Sequence, residues 1–307
     1  MPPMNLHEDR GAFGQYIEAT ADFLGITDAG IVEKDYFVTL FLKNIIKKRP
    51  DMIFKGGTSL SKCYKIINRF SEDIDMNVRT EAAKLTEGQR KRLKQDVISS
   101  IEELGFSLEN LEKIRSRREF NRYVVNYKTS VTFGYLKPYL VVETDVFIKS
   151  FPTETMEAAS LTCDFLLAQK LESEVKKYNL EPFIVQVQAK ERTFIDKVFA
   201  IADYYLDGHT ANHSRHIYDL YKLYPKIVFN CEFMMLVKEV RDARKPRTTC
   251  FSAQDGVDVQ ELLREIASED VYKSDYNQIT DALLFEELPY SEAVSVLEYI
   301  IKDGCFA

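Results

Sequence analysis

No stretch of this chain approaches the ~18 uninterrupted apolar residues that a membrane-spanning helix needs. Its opening, "MPPMNLHEDRGAFGQ", has no apolar run of the kind that a secretion signal carries. A cytoplasmic protein with no membrane association is the expectation. The five cysteines, at 63, 163, 231, 250 and 305, are odd in number and show no Cys-x-x-Cys spacing, so neither a disulfide framework nor a structural zinc site is suggested. All five are read as free thiols. Basic charge is in deficit as well: 41 Lys+Arg against 48 Asp+Glu leave a net charge of −7. The chain as a whole does not attract nucleic acid, and any such binding rests on a local patch. Internal repeats, low-complexity tracts and the Gly-x-x-x-x-Gly-Lys-Ser/Thr spacing of a P-loop are all missing.

What is present is an ordinary globular composition, 307 residues with 45% hydrophobic and 29% charged, enough for one large domain or two modest ones. Apolar residues recur at helical spacing in "AGIVEKDYFVTLFLKNIIKK" (29–48), and "PDMIFKGG" after it is a short apolar run ended by glycines, the mark of a buried strand. Leu60, Cys63, Tyr64 and Ile67 share one face of a helix expected over 58–69, with Thr58 as its cap. "DIDMNV" (73–78) alternates as a strand does. A capped helix is expected from Thr86, with Gln89 completing a capping box and Leu93, Val97, Ile98, Ile101 and Leu104 on its apolar face. "RYVVNYKT" (122–129) and "YLVVETDVF" (139–147) read as strands, and from 160 onward the pattern is helical almost without interruption. The expected class is α+β. A small mixed sheet flanked by helices occupies 1–155, and a mainly helical half, 156–307, completes the site, with a soft boundary inside "KSFPTETMEAAS" (149–160).

Residues two apart on a strand share a face, so Asp73 and Asp75 present their carboxylates side by side while Ile74 and Met76 turn away. Holding two like charges together costs free energy unless a cation neutralises them, and an oxygen-only pair suits Mg²⁺. Taken alone, Asp-x-Asp is more often a solvated strand edge. Here Glu143 and Asp145 repeat the arrangement on a second strand, so a third carboxylate reaches the same place if the two strands are neighbours. Gly56 and Gly57 end one strand and open a helix, a turn that lets backbone N–H groups and the Thr58 and Ser59 hydroxyls approach a phosphate. A bare Gly-Gly-Thr usually marks only a turn; with the acids it fits a nucleotide site that also takes in Lys62.

"FKGGTSLSK" followed by "RFSEDIDM" resembles the signature of the AbiEii/AbiGii toxin family, nucleotidyltransferases of the DNA polymerase β-like superfamily. Their first motif is Gly-Gly/Ser, a short helix, then Asp/Glu-x-Asp. The resemblance extends over "VEKDYFVT", "YLVVETDVF", "ERTFIDKVFAI" and "SRHIYDLYKL", roughly residues 30–225, in the same order. It implies that Asp73, Asp75 and the third acid Glu143 bind Mg²⁺ and a nucleoside triphosphate whose phosphates touch Gly57, Thr58 or Ser59. It further implies that Lys197 contacts the triphosphate, that Asp219 is a functional acid of the last motif, and that Arg215 belongs to the nucleotide-binding group. Many members begin that last motif with Arg-Asp, where this chain has Arg215-His216. Read from the residues alone, Lys197 could instead reach solvent from an apolar helix face, and Arg215 with Asp219 could be an i, i+4 surface pair.

His209, His213 and His216 cluster at spacings open to zinc, but no carboxylate stands at a zinc-site spacing and the resemblance already accounts for that helix. Two basic stretches, "KIRSRREFNRY" (113–123) and "KEVRDARKPR" (238–247), are the candidates for an RNA-contacting surface; Phe120 and Tyr123 of the first could stack on bases. The expected function is metal-dependent transfer of a nucleoside monophosphate from a triphosphate to an acceptor hydroxyl, releasing pyrophosphate. The resemblance implies the toxin of a toxin–antitoxin or phage-defence system, with a cognate antitoxin encoded nearby and a tRNA 3′ end as acceptor. A small-molecule nucleotidyltransferase, or a nucleotide-binding module without turnover, are the alternatives.

Overall fold

Seven short segments pair into one mixed sheet in the computed structural model, which describes residues 4–71, 73–80, 84–130 and 137–306. In chain order the strands are β1 (Met52–Lys55), β2 (Asp73–Val78), β3 (Ser107–Leu108), β4 (Phe120–Asn126), β5 (Tyr139–Asp145), β6 (Thr153–Ala158) and β7 (Phe183–Gln188). They stand in the order β3-β4-β5-β2-β1-β7-β6. β1 runs antiparallel to β2 and parallel to β7; β2 is parallel to β5, which is antiparallel to β4.

The chain forms two compact units, Met1–Cys63 with Glu72–Val187, and Tyr64–Ser71 with Gln188–Ala307. The expected boundary at 155 therefore falls inside the first unit. The reason is that 149–160, read as a soft linker, contains β6, and that "FIVQVQ" forms β7 beside β1, so the chain is still adding strands well past 160. Alternation of Val185 and Val187, both buried, marks β7 as a strand within what the sequence reads as helical.

In the sheet unit, α1 (Arg10–Leu24), α2 (Ala29–Lys48), α3 (Gly56–Lys62), α4 (Glu87–Glu103), α5 (Leu161–Ala168) and α6 (Glu172–Lys177) accompany the strands. α4 begins at the expected capping box of Thr86 and Gln89 and buries Leu93, Val97 and Ile101. α2 packs against α4 and β5, and its Phe37 ring meets Phe13, Tyr36, Phe106 and Tyr127 in an aromatic core. α3 is shorter than the helix expected over 58–69 and starts two residues earlier. Its periodicity continues in the sequence, but the residues beyond Cys63 pair with other backbone and leave the helix.

The same α2 also buries charge. Asp35 Oδ1 accepts from the Lys62 ammonium at 2.5 Å, and Asp35 Oδ2 from Leu161 N at 2.8 Å, while Lys62 also donates to Thr39 Oγ1 at 2.6 Å. Lys34 donates to Lys137 O at 2.8 Å, and Glu33 accepts from Ser130 N at 3.0 Å. Asp35 thus ties α3, through Lys62, and the start of α5, through Leu161 N, to α2, with each polar group in the cluster given a partner.

The helical unit contains α7 (Lys190–Leu206), α8 (Arg215–Leu223), α9 (Cys231–Arg244), α10 (Val259–Ser268) and shorter helical turns to the C-terminus. Its core joins Phe194, Phe199, Phe229, Phe233 and Phe306. The segment Tyr64–Ser71 is stitched into it: Phe70 N donates to Leu283 O at 2.9 Å, Phe285 N to Asn68 O at 3.0 Å, and Asn68 N to Tyr218 Oη at 2.9 Å. Among the described residues no helix is long and apolar enough to cross a membrane.

Replacing one member of a buried ion pair leaves the other charge uncompensated, at a cost of roughly 3–5 kcal/mol. Asp35→Ala is therefore expected to lower unfolding free energy by about that amount in chemical denaturation. A loss below ~1 kcal/mol would mean that the Lys62 ammonium finds water instead.

Candidate active site

The alternation of β2 places Asp73 and Asp75 half-buried on one face and sends Ile74 and Met76 into the core. Strand register then extends the row. Asp75 stands opposite Lys55 of β1 and opposite Glu143 of β5, and Glu143 stands opposite Arg122 of β4. Directly opposed residues share a face, so four charges cross the sheet in the order Lys55, Asp75, Glu143, Arg122, with Asp73 on the same face. The third carboxylate expected from β5 is thus beside the first two. Asp145 lies beyond the β2 pairing, and its Oδ1 accepts from Phe147 N at 3.0 Å. Lys55 and Arg122 are members of the row that sequence reading missed. The Arg122 guanidinium is 3.6 Å from Glu143 Oε1.

This crowding has an electrostatic signature. Burial, then the charges of Asp75 and Asp73, push Glu143 up to about 7, while Arg122 and Lys55 pull it back. Near neutrality this carboxyl is half protonated and able to exchange a proton.

Gly56 explains how Asp75 fits. Its φ of +77° lies in the left-handed region, and a Cβ there would come within 2.1 Å of Asp75 Oδ2. Any side chain at 56 would displace the carboxylate. Gly57 follows in the first turn of α3. The neighbouring hydroxyls are turned inward: Thr58 Oγ1 donates to Asp73 O at 2.5 Å and Ser59 Oγ to Gly56 O at 2.8 Å. Thr58 is therefore a brace for the acid-bearing strand, and Lys62, expected among the nucleotide-binding residues, is occupied by Asp35 and Thr39.

In the helical unit, α7 and α8 bring together Lys197 and Asp219, the two late residues expected to be functional. Asp219 is fully buried. Its Oδ1 and Oδ2 accept from Arg69 Nε and Nη2, both at 2.7 Å, and Oδ2 accepts from the Lys197 ammonium at 2.5 Å. Lys197 therefore does not reach for solvent, and the carboxylate is held by Arg69, which lies 150 residues away in sequence and which sequence reading missed. Burial alone would raise the Asp219 pKa; Arg69 and then Lys197 override it and hold the carboxyl well below its usual range. Burial lowers the Lys197 pKa, opposed by Asp219. His216 Nδ1 is 3.5 Å from the Lys197 ammonium, and burial, with the Lys197 and Arg215 charges, keeps that imidazole neutral. Arg215 opens α8 and is half-buried.

The family model for the nucleotidyl transferase AbiEii toxin of type IV toxin–antitoxin systems matches residues 41–296, a span that holds the charge row, the glycine turn and the Arg69–Asp219–Lys197 group. The chain belongs to this family. No curated protein matches it. Membership in the AbiEii toxins implies a nucleotide substrate and an antitoxin partner.

Other expected features of this AbiEii protein take a different form. Tyr123 is fully buried on the inward face of β4 beside Val125 and cannot stack on a base, which leaves only Phe120 of the pair exposed. Within 238–247, two of the basic residues are paired inside the fold. Arg244 contacts Asp203 at 2.6 Å and lies over the Phe199 ring, and Lys245 contacts Asp255 at 2.9 Å and Asp242 at 3.3 Å. In 113–123, Arg117 remains largely exposed, 3.7 Å from Glu87. The histidines do not converge: His209 is exposed and faces Asp207, and the His213 and His216 rings stack with centroids 6.1 Å apart.

Two outcomes follow from these electrostatics. In metal-free protein, Glu143 titrates near 7 when folded and near 4.5 when unfolded, so its contribution to stability is present below 4.5 and is lost as pH rises through 7. Glu143→Gln should gain on the parent chain at pH 8 relative to pH 5 in urea denaturation with a chelator present; parallel stability profiles would contradict the raised carboxyl. Arg69→Met should cost roughly 1–3 kcal/mol of stability by taking two hydrogen bonds from buried Asp219, which keeps Lys197 as its counter-ion. Arg69→Lys keeps the charge without the two-pronged contact and should cost less. Equal losses in the two variants would show that shape rather than charge holds this cluster.

Proposed function

We propose that this AbiEii toxin transfers a nucleoside monophosphate from a nucleoside triphosphate to an RNA hydroxyl, the 3′ end of tRNA, with Mg²⁺ as cofactor. The observation that carries the reading is the in-register pairing of Asp75 with Glu143, with Asp73 on the same face. The donor set fits the cation: all three groups offer hard oxygens, and their mutual repulsion is what a divalent ion relieves. Among the described residues no group of three acids, cysteines or histidines is gathered to hold a metal unaided. Mg²⁺ takes one or two carboxylates and shares its remaining positions with water and substrate phosphate. When bound, Mg²⁺ supplies neutralisation of the charge that develops on the phosphoryl oxygens.

Asp73 and Asp75 hold that cation with the triphosphate, and the backbone at Gly56–Gly57 lies beside them for the phosphates, since the Thr58 and Ser59 hydroxyls are already engaged. The acceptor oxygen forms a bond to the α-phosphorus. The bond from that phosphorus to the oxygen bridging to the β-phosphate breaks, and pyrophosphate leaves with the electron pair. Glu143, held beside Asp75 by strand register, takes the hydroxyl proton.

The test is incubation with each labelled triphosphate and total tRNA, comparing the parent chain with Asp75→Asn. Transfer should fall about 100-fold or more, with the melting temperature unchanged or raised because a repulsion is removed. Full transfer by Asp75→Asn would rule out a cation held at this row. Labelling of small hydroxyl compounds but not of RNA would favour a small-molecule acceptor.

A further inference from the structure

Within the helical unit lies a cleft of about 670 Å³ whose lining includes Lys65, Lys190, Lys222, Lys226, Tyr64 and Tyr221, and no acidic residue. Its walls come from separate pieces of chain: the segment Tyr64–Ser71, the first turn of α7, the last turn of α8 and the turn Tyr224–Lys226 after it. In a chain of net charge −7, four lysines from distant positions line one concavity. Small-molecule pockets are mostly apolar with a few polar groups, whereas half of this lining is lysine.

The cleft is also held in shape. Lys190 is anchored by Glu191 at 2.8 Å and Lys222 by Glu286 at 2.9 Å, both acids standing outside the lining. Tyr64 Oη donates to Gln188 O at 3.1 Å and Tyr221 Oη to Glu292 at 2.5 Å, so both rings are tethered by their hydroxyls. Lysine ammonium groups contact phosphate without demanding a sequence, and tethered aromatic faces accept unpaired bases.

We infer that this cleft binds a single-stranded stretch of RNA, with the lysines on its phosphates and Tyr64 and Tyr221 against its bases. The inference deepens the proposed function and rests on its RNA acceptor. It adds to the basic stretches of the sequence a set of lysines gathered by the fold, which composition alone does not single out.

The experiment uses the full-length chain, a short labelled single-stranded oligoribonucleotide read by fluorescence anisotropy, and the variant Lys65→Glu/Lys226→Glu, with Lys65→Gln/Lys226→Gln as a milder companion in case the reversal disturbs folding. RNA affinity should fall roughly tenfold or more in the reversal, and the log–log salt slope should flatten by ~0.7 for each phosphate that is no longer neutralised. Affinity for a labelled nucleoside triphosphate should not change, and nucleotide transfer should show a raised KM for RNA with kcat unchanged. Unchanged RNA affinity and salt slope in both variants overturn the inference, as does an equal loss of triphosphate affinity, which would make the cleft a triphosphate site. If the variants bind RNA normally while the parent chain still labels RNA, the cleft assignment fails and the proposed reaction stands. If the variants lose RNA binding while the parent chain labels no RNA, the cleft assignment stands and the RNA acceptor fails.

Discussion

Repulsion among three carboxylates is the constraint around which the sheet unit is arranged. Asp73 and Asp75 are fixed on one face by the alternation of β2, and Glu143 is brought beside Asp75 by parallel pairing, so none of the three can move apart without breaking backbone hydrogen bonds. The neighbours temper that strain without removing it. Lys55 and Arg122 close the row at its two ends, Gly56 leaves room for the Asp75 carboxylate, and Thr58 ties its helix to the backbone of Asp73. The remainder shows in Glu143, which holds its proton to about 7. On the proposed reading a divalent cation would release that proton, and the electrostatic cost of the row would then be the measure of how strongly it draws the ion.

Elsewhere the chain treats buried charge in the opposite way, compensating it fully. Asp219 has no exposure but accepts from two cations, and Asp35 gives one oxygen to Lys62 and the other to a backbone N–H. Such clusters are poor sources of net stability but steep to disrupt, which suits them to fixing a side chain in one position. Lys197 is held in this manner, its ammonium set by Asp219, whose carboxylate Arg69 grips as well.

The parts of this arrangement that were legible in the sequence are those written in local periodicity. Two-residue alternation placed Asp73 and Asp75 together and turned Glu143 outward from the core, and the capping box at Thr86 marked the start of α4. What escaped depends on partners far along the chain. Lys55 and Arg122 join the row only through cross-strand register, and Arg69 gains meaning only from an aspartate 150 residues later. Local pattern also misled where tertiary pairing overrode it: the helical spacing of Leu60, Cys63, Tyr64 and Ile67 runs on past the point where the backbone leaves α3 to bond with Leu283 and Phe285. Within the basic run 238–247, sequence does not show that Arg244 turns inward onto Asp203 and Phe199.

The segment Tyr64–Ser71 gives the helical unit a discontinuous construction, since it interrupts a unit to which the chain then returns. During synthesis on a ribosome, Arg69 emerges long before Asp219, and its backbone partner Leu284 comes later still. The helical unit therefore cannot make these contacts as its first helices appear; they form only once the residues through Phe285 have been made. A C-terminal fragment starting at Gln188 would leave Asp219 with one cation in place of two, so this half of the molecule is not separable by a single cut.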